Sequence, residues 1–420
     1  MIDINRIRNN KEEVENALLK RMDYLNLDEL LNWDKEKRLI GTKLDECRHK
    51  RNTISDEIPL MKRDGKDTTD IIKDMKILGD KIDELTVKYN ELDTKIFDYL
   101  ASLPNIPDDD IIGGGKEFNR PIYTFKEKPT FSFNLKPHYE ILKDLKMIDY
   151  DRGIKIGGEK SWIYTGMGAR LEWALINCFI DTHIKNGFQF MMVPYMLKND
   201  CGFGAGQFPK FADEVYKIKD EDLFLLPTAE TALVNLHKNE ILNIDELPKK
   251  YFAYTQCFRV EAGSSREEER GTIRGHQFNK VEMVQYVEEN KTDEAFNELL
   301  EIAKKLVESL GLHYQISKLA AGDCSGAMCR TYDLEVWIPS MEIYKEVSSV
   351  SNSRDYQARR TNTKYRDTDG NLHYVCILNG SGLATSRLIP AIVEQYQNED
   401  GSITVPEVLR PYLGGIEIIK

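Results

Sequence analysis

The clearest pattern of apolar and polar positions lies in the first quarter of the chain. Over residues 71–99, apolar side chains recur at alternating steps of four and three, the heptad spacing of a coiled-coil helix. A second, less regular apolar series runs from Trp33 to Met61 and is interrupted at Lys37 and Arg51. The pattern therefore predicts two long helices that pair as one antiparallel coiled-coil arm.

The segment between the two series is short and polar. Gly65 favours a turn there, and residues 67–70 (Asp-Thr-Thr-Asp) offer an N-cap for the second helix. Helices of about 30 residues would reach roughly 45 Å. Such an arm cannot bury a globular core of its own, so we expect it to project.

Beyond the arm the pattern changes. Prolines and three consecutive glycines mark residues 101–121 as a linker. After it, short β-rich segments such as "FQFMMVPYM", "YFAYTQCF" and "HQFNKVEMVQYV" alternate unevenly with helical stretches at 167–186 and 292–311. This predicts an α+β fold with a mostly antiparallel sheet and flanking helices. We set the domain boundaries at 1–110 and 111–420.

Composition narrows the class of protein. The chain has 420 residues, of which 41% are hydrophobic and 30% charged, enough for more than one domain. We see no apolar run long enough to span a bilayer and no signal peptide, so no membrane partner is expected. The seven scattered cysteines form no CxxC pair, so we expect no zinc, no disulfide framework and a cytoplasmic location.

Charge is unevenly distributed. The net charge of −12 argues against a protein that coats nucleic acid indiscriminately. Residues 35–63 nevertheless carry nine basic against five acidic side chains. Such a run usually means a solvated coiled-coil surface. The alternative is that the first helix of the arm meets a phosphate backbone.

Residues 258–282 hold the densest group of candidate functional side chains. Arg259 and Glu261 lie two apart, so on a strand they would face the same side. A polar loop follows, and the next strand would present Phe278, Lys280 and Glu282 to that same surface. Guanidinium groups suit phosphates, an aromatic ring suits a base, and a buried carboxylate suits an ammonium. The competing interpretation is an exposed Arg/Glu ladder on the sheet.

Other short motifs add groups of the same kinds. The segments "PTAE" and "ILNGSGLATSRL" contribute hydroxyl, amide, carboxylate and guanidinium groups from Thr228, Glu230, Asn379, Ser381 and Arg387. In the second segment, a strand is expected to turn on Gly380 and Gly382 before a helix. In "YKEVSSVSN", Glu346 and Ser349 offer oxygen ligands of the kind that a hard divalent ion accepts.

In this order and spacing, the motifs resemble those of seryl-tRNA synthetase, a class II aminoacyl-tRNA synthetase. The resemblance runs from "MIDINRIRNN" to "ITVPEVLRPYLGG". Its most specific segments are "GFGAGQFPKF", "PTAE", "IRGHQFNKVEM", "TYDLEVWIP", "SNSRDYQARR" and "NGSGLA". It implies a tRNA-binding coiled-coil arm joined to a class II catalytic domain, and the activation of L-serine by ATP before transfer to tRNA(Ser).

The resemblance also implies roles for individual residues. Serine would be held by Thr228, Ala229, Glu230, Glu282 and Ser381. ATP would be held by Arg259, Val260, Glu261, Gly275, Phe278, Glu346, Val347, Ser348, Ser349 and Arg387. Arg259 and Arg387 would be the catalytic cations, and Glu346 and Ser349 would bind Mg²⁺ between the phosphates.

The remaining implications concern partners. The arm would contact tRNA through Lys50, Arg51, Lys62 and Arg63. Pro194 lies in the segment that forms the homodimer in this family. No protein nucleophile is required, so positioning and charge neutralisation would carry both steps.

One loop departs from the family pattern. Where a basic, glycine-containing tip is usual, this chain has Glu267, Glu268 and Glu269. This leaves open a paralogue that adenylates serine, or a similar small amino acid, for a non-translational acceptor. A non-catalytic scaffold is a further alternative. The arm counts against the former, and the retained charged residues count against the latter.

Overall fold

The computed structural model describes residues 1–261 and 271–420, and these form two compact units. One unit is Ile2–Leu103, and the other is Pro104–Lys420 together with Met1. The predicted boundary between residues 110 and 111 stays a prediction.

Helices occur in both units, whereas the strands of the described residues all lie in the unit Pro104–Lys420. The helices are α1 Ile4–Asn9, α2 Lys11–Leu18, α3 Leu27–Arg63, α4 Thr69–Ser102, α5 His138–Asp144, α6 Tyr150–Gly157, α7 Met167–Lys185, α8 Asn199–Gly204, α9 Ala229–Leu233, α10 Thr292–Ser309, α11 Tyr356–Thr361 and α12 Thr385–Gln395. The strands are β1 Arg120–Phe125, β2 Ile148–Asp149, β3 Ile163–Tyr164, β4 Gln189–Met191, β5 Met196–Lys198, β6 Leu223–Leu225, β7 Ile241–Asn243, β8 Lys249–Phe258, β9 Gln277–Val287, β10 Tyr314–Lys318, β11 Arg330–Ile338, β12 Ile343–Asn352, β13 Lys364–Arg366, β14 Leu372–Tyr374, β15 Cys376–Ala384, β16 Ile403–Thr404 and β17 Ile418–Ile419.

The first unit contains the predicted antiparallel hairpin, formed by α3 and α4. Trp33 near the start of α3 meets Tyr99 near the end of α4, with ring centroids 5.9 Å apart. Ile40 and Leu44 pack against the returning helix, where Ile82 and Leu92 are buried. Each fully buried side chain of this size stabilises the hairpin by roughly 1.5–3 kcal/mol. The heptad pattern is thereby confirmed.

Two local features explain details of the hairpin. Lys37, which interrupts the first apolar series, lies with its ammonium 5.1 Å from the centroid of the Tyr89 ring and pairs with Asp93. Its alkyl stem can cover apolar surface while the charge stays outside. At the turn, Gly65 takes a positive φ of 72°, and the Asp67 carboxylate accepts a hydrogen bond from the N–H of Thr69, the first residue of α4.

The second unit is built on a mostly antiparallel sheet, as predicted. Over the described residues this sheet has eight strands in the order β1-β10-β11-β12-β15-β9-β8-β4. Its neighbouring strands are antiparallel, apart from the parallel pair of β4 with β8. Strand β4 therefore lies at one edge of the sheet.

Helices α7, α10 and α12 cover one face of this sheet. Apolar residues of α10 recur every three or four positions, as in Phe296, Leu299 and Ala303, which gives the helix one apolar face. They join strand residues such as Met283 and Leu378 in the main core. Alternate residues of β9 and β15 point away from this core and are free to build a site on the opposite face. Within residues 1–261 and 271–420, no helix is long and apolar enough to cross a membrane.

Candidate functional site

The predicted residues meet at a cavity of about 490 Å³ on that opposite face. Lys280 and Glu282 reach it from β9, and Asn379 and Ser381 reach it from β15. Ser381 lies directly opposite Glu282 in the strand register. The period-two pattern seen in the sequence is therefore what brings these side chains together.

One prediction about the backbone near Ser381 is wrong. Gly380 and Gly382 do not form a turn, because β15 continues through both of them to Ala384. Gly382 is needed for a close approach instead: a Cβ there would lie 2.1 Å from Nε2 of the buried His183. The helix that carries Arg387 begins only at Thr385.

The arrangement of Arg259 and Glu261 also differs from the prediction. Strand β8 ends at Phe258, and Glu261 takes a positive φ of 50°, so the two residues do not share a strand face. Both still line the cavity. Glu261 is fixed by Arg274, whose guanidinium lies 2.6 Å from its carboxylate, and by Lys160, which donates to its carbonyl oxygen at 3.1 Å.

Arg259 is oriented by two contacts. Its Nε donates to the carbonyl oxygen of Pro227 at 3.2 Å, and its guanidinium carbon lies 5.1 Å from the centroid of the Phe278 ring. Among residues 1–261 and 271–420, no side chain or carbonyl bonds to the two terminal nitrogens of Arg259, so these can serve a ligand. Phe278 also borders a smaller adjoining cavity of about 40 Å³, together with Gly275 and Val347.

The end of the large cavity near Glu282 is strongly polar. The Thr228 hydroxyl donates to Glu282 Oε2 at 3.0 Å, Lys280 forms an ion pair with the same oxygen, and Lys280 also donates to Thr228 Oγ1 at 3.3 Å. The strand spacing predicted that Lys280 shares a surface with Glu282, and the cavity confirms this. The spacing did not predict its role as the partner of that carboxylate.

Glu230 is the second carboxylate of this polar end. Burial, followed by the nearby charge of Glu282, raises its pKa to about 7. One carboxylate oxygen, Oε1, accepts hydrogen bonds from Gln357 Nε2 at 2.8 Å and from Asn379 Nδ2 at 3.1 Å. Gln357 lies in the segment "SNSRDYQARR", but its role at the site was missed because nothing in that segment links α11 to residue 230.

Glu346 and Ser349 line the same cavity, although residues three apart on a regular strand face opposite sides. A bulge resolves this: Glu335 pairs with Glu346 but Leu334 pairs with Ser348, which leaves Val347 as an extra residue. Burial opposes ionisation of Glu346, but the cations of Arg387, Lys280 and Arg259 outweigh it and hold its pKa below the ordinary value.

This pair fits a hard divalent cation. Arg387 donates to the Glu346 carbonyl oxygen at 2.8 Å and lies 3.3 Å from its carboxylate, so the carboxylate is held in place. On the neighbouring strand, Asp333 faces Ser349, and its Oδ1 has no hydrogen-bond partner. Carboxylate and hydroxyl oxygens are the ligands that Mg²⁺ accepts. Among the described residues, no group of three or more His, Cys, Asp or Glu side chains could hold a metal ion by itself.

Some predicted residues take other places. The Ser348 hydroxyl is buried and donates to the Ser381 carbonyl oxygen at 2.6 Å, which ties β12 to β15. The Val260 N–H donates to the Glu214 carbonyl oxygen, and Ala229 is buried in α9. The segment "GFGAGQFPKF" adds Gln207 to the cavity, and a loop that the motifs did not single out adds Ser325 and Met328.

Two further predictions concern the arm and the acidic loop. The four candidate tRNA contacts, Lys50, Arg51, Lys62 and Arg63, are exposed on α3. The acidic residues 267–269 fall outside the described residues.

Comparisons with known proteins agree with this geometry. The family description "Seryl-tRNA synthetase N-terminal domain" matches residues 1–107, and "tRNA synthetase class II core domain (G, H, P, S and T)" matches residues 215–396. The chain is 53% identical to serine–tRNA ligase 2 of Clostridium acetobutylicum, over 99% of both chains. It is 42% identical to serine–tRNA ligase of Natranaerobius thermophilus, over 100% of both chains.

Solved structures give the same result. The crystal structure of seryl-tRNA synthetase from Pyrococcus horikoshii complexed with ATP superimposes with a TM-score of 0.94 and 34% identity, covering 100% of this chain and 99% of that chain. The cytoplasmic serine–tRNA ligase of Naegleria fowleri in complex with AMP gives a TM-score of 0.89 at 26% identity, covering 100% of this chain and 99% of that chain.

Proposed function

Because the chain belongs to the seryl-tRNA synthetase family, we propose that it activates L-serine with ATP and transfers the seryl group to the 3′ end of tRNA(Ser). The observation that carries this proposal is the single cavity in which a polar end around Glu230 and Glu282 adjoins a cationic part around Arg259 and Arg387. The first suits a small amino acid with an ammonium and a hydroxyl. The second suits a triphosphate.

The first step needs no protein nucleophile. A carboxylate oxygen of serine forms a bond to the α-phosphorus, the bond from that phosphorus to the bridging oxygen breaks, and pyrophosphate leaves. Arg259 holds the α-phosphate through its two terminal nitrogens, and Arg387 neutralises charge further along the phosphate chain. Alignment of two reactants can contribute roughly 7–11 kcal/mol, so positioning by these side chains accounts for much of the catalysis.

The second step transfers the amino acid. A ribose hydroxyl at the tRNA terminus forms a bond to the carbonyl carbon of the adenylate, AMP leaves, and the hydroxyl proton is lost. The polar end keeps its hold on the serine ammonium and side chain through Glu282, Glu230 and Ser381. Phe278 offers a face for the adenine ring, beside Gly275.

Glu346 and Ser349 would hold Mg²⁺, which neutralises charge on the phosphates when bound. The lowered pKa of Glu346 supports this role because the ligand must be ionised. Asp333 faces Ser349 across the strand pair, where burial, followed by the nearby charge of Glu346, raises the pKa of its carboxyl well above the ordinary value.

The exposed basic residues of α3 support a tRNA-binding role for the arm. Contacts to phosphates set position on the nucleic acid without reading its sequence. Lys50, Arg51, Lys62 and Arg63 are exposed, so they can serve phosphates at little desolvation cost. We assign the protein to the cytoplasm, in keeping with its seven free cysteines.

A homodimer completes the proposal. The apolar side chains of Trp173, Phe190, Met192 and Met196 are 53%, 39%, 93% and 56% exposed. Phe190 lies on β4, the edge strand of the large sheet, and Pro194 follows it. A second copy of the chain would cover this face and the open strand edge.

Pyrophosphate exchange tests the proposed activity. We expect exchange with serine to exceed exchange with threonine, alanine and glycine, because a site that hydrogen-bonds a hydroxyl rejects analogues that leave its polar groups unpaired. Equal exchange with serine and alanine would contradict the assignment. Charging of total tRNA then identifies the acceptor.

Deletion of residues 35–95, closed with a short linker, separates the two steps. The deleted protein should retain serine-dependent exchange and lose tRNA charging. If the intact protein adenylates serine but charges no tRNA, a non-translational acceptor becomes the better interpretation. If the deleted protein charges tRNA normally, the arm is not the tRNA-binding element.

A further inference from the structure

Gln357 is a buried polar residue that does not line the cavity yet contacts a residue that does. It lies on the short helix α11 and is 0% exposed. Its Nε2 donates to Glu230 Oε1 at 2.8 Å and to the Ala205 carbonyl oxygen at 3.0 Å. One amide group therefore joins the carboxylate to the segment that follows α8.

Both amide donors at Glu230 converge on one oxygen. Gln357 and Asn379 bond to Oε1, and no described residue bonds to Oε2. Oε2 is also not among the buried side-chain atoms that lack a partner, while Glu230 lines the cavity. The carboxyl group is thus held so that one oxygen belongs to the protein and the other to a ligand.

The rest of α11 makes this hold rigid. Arg360, one turn after Gln357, donates to the carbonyl oxygens of Phe203 and Phe208 at 3.3 and 3.1 Å. The same segment places Gln207 in the cavity, where its Oε1 accepts a hydrogen bond from the Thr231 hydroxyl at 2.9 Å. Because several hydrogen bonds join α11 to residues 203–208, Gln357 has little freedom to turn away from Glu230.

Gln357 also carries a cost that packing alone does not explain. Its own Oε1 is buried without a hydrogen-bond partner, and such an atom destabilises a fold by roughly 1–3 kcal/mol. An apolar side chain of similar size would avoid that cost. The gain that offsets it comes from the two hydrogen bonds of Nε2, to the Ala205 carbonyl oxygen and to Glu230, and the second of these acts on the cavity.

We propose that Gln357 is a positioning residue that turns Glu230 so that only Oε2 faces the bound amino acid, and that it thereby sets the preference for serine over amino acids without a hydroxyl. This inference rests on the proposed serine activation. Without the Gln357 donor, only Asn379 restrains the carboxyl group of Glu230. The terminal torsion of a glutamate side chain has a broad range of favourable angles, so the group could then rotate. The acceptor would then lose its fixed direction toward the substrate.

The test compares Gln357→Leu with Thr361→Val. Thr361 is also buried on α11 and hydrogen-bonds the Gln357 carbonyl oxygen and the Thr363 hydroxyl, but it makes no contact with Glu230. For Gln357→Leu we expect kcat/KM for serine to fall roughly 10- to 100-fold, as for the loss of a hydrogen bond to a charged group. The values for alanine, and KM for ATP, should change less than threefold. Thr361→Val should leave the ratio of serine to alanine unchanged.

A pH profile gives a readout that a purely structural role would not move. The Gln357 hydrogen bond lowers the pKa of Glu230, as do the charges of Lys280 and Arg259, whereas burial and Glu282 raise it. Gln357→Leu should therefore shift the pH dependence of serine KM to higher pH. Thr361→Val should leave it in place.

Gln357→Met keeps the side-chain length without the donors, and it replaces the leucine variant should that one fail to fold. An unchanged ratio of serine to alanine in the folded variant would overturn the inference. An equal loss for both amino acids would also overturn it. Wild-type protein that does not activate serine would instead refute the proposed function itself.

Discussion

Arg259→Ala is the substitution whose effect follows most directly from the structure. The side chain is held by one hydrogen bond to Pro227 and by the ring of Phe278. Among the described residues it makes no ion pair. Within the described part of the chain, the charge of Arg259 therefore meets only the ring of Phe278 and no carboxylate, so it is available to a phosphate.

The two consequences of Arg259→Ala differ in size. A single donor that stabilises charge in a transition state is worth about 2.7–4 kcal/mol, or about 10²–10³ in rate. A guanidinium presents two such donors in one fork, so we expect adenylate formation to fall by at least about 10³. The fold loses one neutral hydrogen bond, worth about 1 kcal/mol, and a cation–π contact of about 0.5–1 kcal/mol. Arg259→Ala should therefore remain folded.

Serine-dependent pyrophosphate exchange measures the first quantity, and denaturant unfolding measures the second. Arg259→Lys is the matched control: it keeps the charge but loses the anchor at Pro227 and the fork, so its activity should lie between wild type and alanine. A folded alanine variant that keeps more than a tenth of wild-type exchange would refute the reasoning. An alanine variant that unfolds would show that Arg259 is part of a structural ladder.

Further predictions concern packing, ionisation and tRNA. Gly382→Ala should destabilise the protein by about 1–3 kcal/mol in denaturant unfolding, because the new Cβ would meet His183 at 2.1 Å; unchanged stability would mean that the strand can shift. Burial raises the pKa of Glu172 from 4.5 to about 7, so the folded state binds the extra proton and stability falls as pH rises through this range, by up to about 3 kcal/mol. Glu172→Gln should remove that pH dependence, and equal slopes for both proteins would contradict this. Serine binding should release protons near pH 7 from Glu230, detectable as a calorimetric heat that depends on the buffer; a heat independent of buffer would count against it. Neutralising Lys50, Arg51, Lys62 and Arg63 together should flatten the salt dependence of tRNA affinity, by up to about 3–4 in log–log slope if each residue meets a phosphate. An unchanged slope would mean that the tRNA binds elsewhere.

The parts of the fold that follow from local periodicity could be predicted from the sequence. The coiled coil depends on apolar side chains three and four residues apart, and that spacing is visible directly. Helices α7 and α10 and the long strands β8 and β9 were likewise found from local sequence patterns. Strands β10 and β11 were not, although β11 is central to the sheet.

Errors arose where the backbone departs from regular geometry. The bulge at Val347 decides whether Glu346 and Ser349 share a face, and a sequence pattern cannot show an extra residue in one strand. Gly382 was interpreted as a turn because glycine is usual in turns. A glycine is required at this position because His183 approaches it closely. His183 lies 199 positions away along the chain, so a local sequence pattern cannot predict this contact.

The charge balance of the cavity shows why its chemistry could only be inferred once distant residues were brought together. Glu282 has Lys280 as a counter-ion, so that pair contributes little net charge. Glu230 has only neutral amides at Oε1, and burial together with Glu282 holds its pKa at about 7. Near neutral pH, Glu230 is therefore poised between a neutral and an anionic state. The ammonium of any bound amino acid favours the anion through its charge and lowers the pKa, whereas the direction of Oε2 acts on the serine hydroxyl alone. The polar end thus accommodates a cation that belongs to the substrate. If both carboxylates had a permanent lysine or arginine partner, no unpaired negative charge would remain for the substrate ammonium.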